Sequence, residues 1–161
     1  MAGKSRKKDD KGPPAAIHKK AYRNFELIDK FEAGMELRGS EVKSLRSAAA
    51  DLDGSYARIQ DGQCWLVGAT IAQYPQAGIY NHEPKRKRKL LLHKAEIYKI
   101  TIKLDQRGFT LVPLRIYFND RGLAKIELAL ARGKRKYDKR QTILKRDQKR
   151  DIDRNMKKYR R

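Results

Sequence analysis

Five consecutive cations, Lys85, Arg86, Lys87, Arg88 and Lys89, follow Pro84. The fixed φ of the proline helps to present them on a loop. Each phosphate they neutralise releases counterions, so such a run gives salt-dependent affinity for nucleic acid without reading its sequence. The competing assignment is a charge run that only solubilises. Lys43 and Arg46, three apart on one helical face, and Lys19, Lys20 and Arg23 extend the same basic surface. Glu32 is the acid among them. It repels phosphate, yet it can accept hydrogen bonds from base amino groups or ribose hydroxyls. Leu90, Leu91 and Leu92 pack inward by default, or offer an apolar contact to an RNA loop.

Catalysis has little to stand on. His18, His82 and His93 are scattered, and no Cys/His cluster has zinc spacing. No Walker, Rossmann or G-x-S-x-G pattern occurs. Glu32, Glu36 and Glu41 could hold a metal for a nuclease, but salt bridges or caps among abundant Lys and Arg account for them more simply. No catalytic residue, metal or cofactor is expected.

Periodicity supplies the elements that must position these groups. Phe25 and Leu27 alternate with Asn24 and Glu26, and Met35 and Leu37 with Glu36 and Arg38, so a strand leads up to Gly39. Gly34 implies a tight turn or a close backbone approach. Ser40 can cap a helix carrying Val42 and Leu45, ending within 48–52. Ser55, Ala57 and Ile59 form one face of a strand, and Asp61-Gly62 reads as a two-residue hairpin turn. The return strand carries Trp65, Val67 and Ala69 on one face. Residues 73–84 form a loop, and 90–104 one helix or two short ones. A second hairpin turns around 119–122. Val112, Leu114, Ile116 and Phe118 share one face of its first strand; Ala124, Ile126, Leu128 and Leu130 share one face of its second. Pro113 cannot donate to a ladder, which implies an edge or a bulge. Short strands joined by hairpins, with about three flanking helices, predict a mainly β, closed or nearly closed barrel.

The 161 residues suggest one domain. Net charge is +21 and unevenly spread: +5 in 1–20, +5 in 21–131 and +11 in 132–161. A nearly balanced body therefore carries two basic extensions, which suits a polyanion, nucleic acid being the commonest. Residues 1–17 are read as a disordered basic N-terminus, 18–131 as the RNA-binding barrel, and 132–161 as a basic tail, disordered when free and helical on RNA. A membrane surface is the rival polyanion, but Leu144, Ile152, Met156 and Tyr159 make too thin a stripe. The N-terminus has no apolar signal core, and Cys64 is the only cysteine. A cytoplasmic monomer is expected.

The stretch 31–46, F-E-A-G-M-E-L-R-G-S-E-V-K-S-L-R, resembles the N-terminal signature of the small protein B family, the SsrA-binding proteins of bacteria. P-K-R-K-R-K-L-L-L-H-K-A-E-I at 84–97, T-L-V-P-L-R-I-Y-F at 110–118 and G-K-R-K-Y-D-K-R at 133–140 agree in order and separation. The resemblance implies an oligonucleotide-binding-like barrel that binds the tRNA-like domain of transfer-messenger RNA. The complex would enter stalled ribosomes, with the tail in the empty decoding site and the downstream messenger channel, against ribosomal RNA of the small subunit. It implies that Glu32 contributes to RNA binding and that Lys125 lies on the same face. It also implies that Gly133, Lys134, Tyr137, Asp138, Lys139 and Arg140 meet the decoding site. Tyr137 stands where relatives often carry histidine, and His18 where asparagine is common. A ribosomal or ribosome-assembly protein would show the same charge pattern.

Overall fold

The structure is a computed structural model that describes residues 13–106 and 108–134, with 152 and 156. The elements in chain order are β1 (Pro14–Ile17), α1 (Ala21–Asn24), β2 (Phe25–Met35), α2 (Gly39–Arg46), β3 (Ala50–Asp51), β4 (Tyr56–Gln60), β5 (Gln63–Val67), β6 (Thr70–Ile71), β7 (Arg88–Leu91), α3 (Lys94–Leu104), β8 (Phe109–Phe118) and β9 (Ala124–Gly133). A 3-10 segment, Pro75–Tyr80, lies in the loop before β7.

The larger sheet runs β1-β8-β4-β5-β7-β2-β9, and β9 pairs back onto β8. That last pairing closes a mainly β barrel, as expected. Its interior holds Met35, Leu66, Leu90, Leu111, Ile116, Ile126 and Leu128; Leu45 of α2 and Ile100 of α3 join the same core. Asp61 and Gly62 both take positive φ, +52° and +68°, which turns β4 into β5 with the hand that hairpins favour. Gly34 lies within a strand, not a turn. A Cβ there would come within 3.3 Å of the Leu91 Cβ, so the glycine permits close approach of β2 and β7.

Several expectations are corrected. Residues 14–17 are not part of a disordered arm, because β1 pairs with β8. The helix predicted over 90–104 starts at Lys94, and Leu90 and Leu91 belong to β7. In β5 Trp65 and Val67 do share a face, but the fully buried face is the other one, Cys64 and Leu66. Arg38, not Ser40, precedes the first turn of α2, and its N–H donates to Glu41 Oε2 at 2.7 Å. The Ser40 hydroxyl is engaged elsewhere, 3.0 Å from His82 Nδ1. The helix also stops early, since Ala48 takes φ +53° and leaves helical space.

Pro113 marks a bulge, the register of β8 against β9 shifting between Pro113 and Arg115. One inserted residue exchanges the two faces of a strand. Ile116 therefore reaches the barrel interior, while Val112 and Leu114 join Ala21, Ala129 and Ala131 in a second cluster under α1. The single face proposed for 112–118 does not exist for that reason.

Candidate nucleic-acid interface

Three groups of the nominated side chains lie on the described body. The first is on β2, β8 and β9. Glu32 and Glu127 are direct cross-strand partners, as are Gly34 and Lys125, so one outward face carries them together. Lys125 Nζ lies 3.7 Å from Glu32 Oε1, and the Tyr117 hydroxyl donates to Glu32 Oε2. Beside them Glu127 accepts from Arg115 Nε at 2.6 Å and pairs with Lys30 at 3.2 Å. Burial and the adjacent Glu32 carboxylate push the Tyr117 phenol up, so it stays a donor at neutral pH. The hydrogen bond from Lys30 to Glu127 outweighs partial desolvation and raises the lysine. Glu32 stays accessible, its side chain 46 % exposed. Next to Lys125 is a groove of about 380 Å³ lined by Gly34, Met35, Leu91, Leu92, His93, Leu123 and Ala124. Leu90 points into the barrel, whereas Leu91 is 55 % exposed at the groove. The default of inward packing therefore fails for Leu91, because alternate residues of a strand face opposite sides.

The second group joins α2 to the basic run. Lys43 and Arg46 are both exposed, with their charges over the rings of Tyr74 (5.5 Å) and Phe118 (5.6 Å). Lys85 and Lys87 are exposed and Lys89 is half-buried. Arg88 is a correction: its side chain is fully buried, so it is not displayed on a loop for phosphate. Its Nε donates to Glu41 Oε1 at 2.9 Å, and its other nitrogens donate to the carbonyls of Ala69, Arg86 and Pro84. Arg86 is largely enclosed as well, and holds the same carboxylate through Nε (2.9 Å) and Nη2 (2.5 Å).

The third group lies where the chain enters the barrel. Lys19, Lys20 and Arg23 are exposed. Lys20 is already paired with Asp53, and that hydrogen bond holds the aspartate below its usual range. His18 is buried, with Nδ1 3.0 Å from the Pro113 carbonyl oxygen. At the far end Gly133 closes β9, and Lys134 donates its N–H to Asn24 O at 3.0 Å and its Nζ to Tyr22 O at 3.2 Å. Tyr137, Asp138, Lys139 and Arg140 lie outside the described residues, as does the expected conformation of the tail.

The three glutamates weighed as metal ligands are placed apart in role: Glu32 faces Tyr117 and Lys125, Glu36 is exposed, and Glu41 is enclosed by two arginines. Among the described residues no three His, Cys, Asp or Glu side chains gather as a metal would need. No helix among them is long and apolar enough to cross a membrane. Sequence reading missed Tyr117, Arg115 and Lys30 as neighbours of Glu32 and Lys125. Their outward alternation was visible, and Pro113 implied an edge or a bulge, but the strand order that brings them together was not.

The family model described as SmpB protein matches residues 15–158. The SsrA-binding protein of Thermosipho africanus is 46 % identical over 145 residues, 90 % of this chain and 97 % of the relative. That of Chlorobaculum tepidum is 51 % identical over 145 residues, 90 % and 92 % of the two chains. A solved chain described as "tmRNA-SmpB: a journey to the center of the bacterial ribosome" superposes with a TM-score of 0.65 at 46 % identity, covering 79 % of this chain and 92 % of its own.

Proposed function

This chain belongs to the SmpB family of SsrA-binding proteins, and from that premise we propose that it is the RNA-binding adaptor of trans-translation. It binds the tRNA-like domain of transfer-messenger RNA and accompanies it to stalled bacterial ribosomes. The match over 15–158 carries this reading, because it spans the barrel and most of the basic tail together.

The chemistry of the body supports a division of labour. Exposed Lys19, Lys20, Arg23, Lys43, Arg46, Lys85 and Lys87, with half-buried Lys89, supply phosphate contacts that fix orientation. Glu32, held by Tyr117 and Lys125, offers a carboxylate to base amino groups or ribose hydroxyls beside the apolar groove at Leu91. Gly133 and Lys134 anchor the tail to the body, and the tail beyond them occupies the empty decoding site and the messenger channel. There Tyr137 stacks on a base, and Lys139 and Arg140 hold phosphates. Peptidyl transfer belongs to the ribosome and the reading frame to the RNA, so this chain's work is positioning.

The test is to sequence the RNA that co-purifies with the full chain. One dominant tRNA-like species is expected. Stoichiometric bulk ribosomal RNA from all ribosomes would instead indicate a ribosomal or assembly protein.

A further inference from the structure

The run at 85–89 does not present five equivalent cations. Exposure alternates along it: Lys85 and Lys87 face solvent, while Arg86 is largely enclosed and Arg88 fully so. Both arginines converge on Glu41, a carboxylate with no exposed surface. Its Oε1 accepts from Arg86 Nε and Arg88 Nε, both at 2.9 Å, and its Oε2 from Arg38 N and Arg86 Nη2. Arg86 also bonds the carbonyls of Glu36 and Lys87; Arg88 bonds those of Ala69, Pro84 and Arg86. Four hydrogen bonds from each guanidinium therefore tie 84–88 to the start of α2 and to the end of β2. Arg86, with two bonds to the carboxylate and two to carbonyls, and Arg88, with one and three, have little donor capacity left for phosphate.

We infer that Arg86 and Arg88, through Glu41, are positioning residues for RNA binding. They clamp the backbone of 84–89 so that Lys85, Lys87 and Lys89 are held on its outer side as a phosphate-binding track. This rests on the RNA-binding reading above. Arginine suits the clamp because its planar fork engages a carboxylate and carbonyls at once; lysine, a point charge, does not. Lysines suit the outer positions, where a flexible charge follows a phosphate backbone.

The test uses the full chain and the purified tRNA-like domain of transfer-messenger RNA, titrated at several salt concentrations. Lys87→Gln and Arg86→Gln remove the same charge. Arg86→Gln leaves the Arg88–Glu41 pair in place, so the protein should fold. A direct phosphate ligand lost from a duplex lowers the slope of log K against log salt by about 0.9, and this is expected of Lys87→Gln. The clamp predicts three further results. Arg86→Lys binds as weakly as Arg86→Gln despite its retained charge. The Arg86→Gln, Lys87→Gln double variant loses much less than the product of the two separate fold-losses. Glu41→Gln weakens binding per folded molecule, although removing a negative charge from a basic protein should by itself tighten it.

Full rescue by Arg86→Lys, or losses that simply multiply, would make Arg86 an independent phosphate ligand and overturn the inference while leaving the RNA reading intact. Unchanged affinity in a Lys85→Gln, Lys87→Gln, Lys89→Gln triple variant would remove this segment from the RNA interface and overturn the inference, whereas failure of the parent chain to bind this RNA would overturn the RNA reading itself.

Discussion

Replacing Arg88 with methionine tests whether this cation belongs to the fold. Methionine approximates the length of the side chain but lacks its charge and donors. The change leaves the carbonyls of Ala69 and Pro84 without the guanidinium donors and Glu41 with one arginine instead of two. Removing one partner of a buried ion pair costs about 3–5 kcal/mol. At about 4 °C per kcal/mol for a domain of this size, the melting temperature should fall by about 12–20 °C. Lys87→Met, one residue away and exposed, should stay within about 0.5 kcal/mol, or about 2 °C. Thermal unfolding followed by far-ultraviolet circular dichroism at neutral pH reads both. Burial alone pushes the Glu41 carboxyl up, but the Arg86 hydrogen bonds, the Arg38 N–H and the charges of Arg88 and Arg86 outweigh it and hold the group below its ordinary 4.5. A depressed folded value means that this stabilisation is complete above the unfolded pKa and is lost as pH falls through the folded one. The gap between the parent and Arg88→Met should therefore be flat near neutrality and narrow below about pH 4.5. Equal melting temperatures for Arg88→Met and Lys87→Met would refute the argument, for Arg88 would then be a surface cation after all.

Glu32→Gln removes an anionic acceptor from a half-exposed position, so stability should change by less than about 1 kcal/mol while RNA affinity falls; a large loss of melting temperature with unchanged affinity per folded molecule would make Glu32 structural. Because β9 extends to Gly133 and Arg132 pairs with Glu26 and Phe109, a tail deletion must begin after Lys134. The deletion should leave cooperative unfolding and RNA binding in place but abolish tagging on stalled ribosomes, and loss of cooperativity would assign the tail to the core. Tyr137→Ala should abolish tagging with RNA affinity near normal, since stacking on a base is worth about 1–3 kcal/mol; a charge-matched scramble of 133–140 that tags normally would reduce the segment to charge alone. Burial pushes the Cys64 thiol up to about 11, so iodoacetamide at mildly alkaline pH should modify it only after denaturation, and rapid native labelling would contradict the closed barrel.

Much was legible in the chain itself. Alternation and turn chemistry are local, so the Asp61-Gly62 hairpin, the Asn119–Gly122 turn and the mainly β class followed from residue order. The charge partition followed from counting. The bulge was foreseeable at Pro113, since a proline has no N–H to give a ladder. What that bulge does to Val112, Leu114 and Ile116 depends on which strands flank β8, and no local pattern states this. The same limit applies to the cations. Residues 85–89 are equivalent as a sequence, and only the meeting of α2 with this segment, 45 residues away along the chain, separates them. Glu41 draws Arg86 and Arg88 inward because a buried carboxylate must be paired, while Lys85 and Lys87 remain in water. Which charges are available to a partner was therefore decided by the tertiary fold, through the cost of leaving a charge buried and alone.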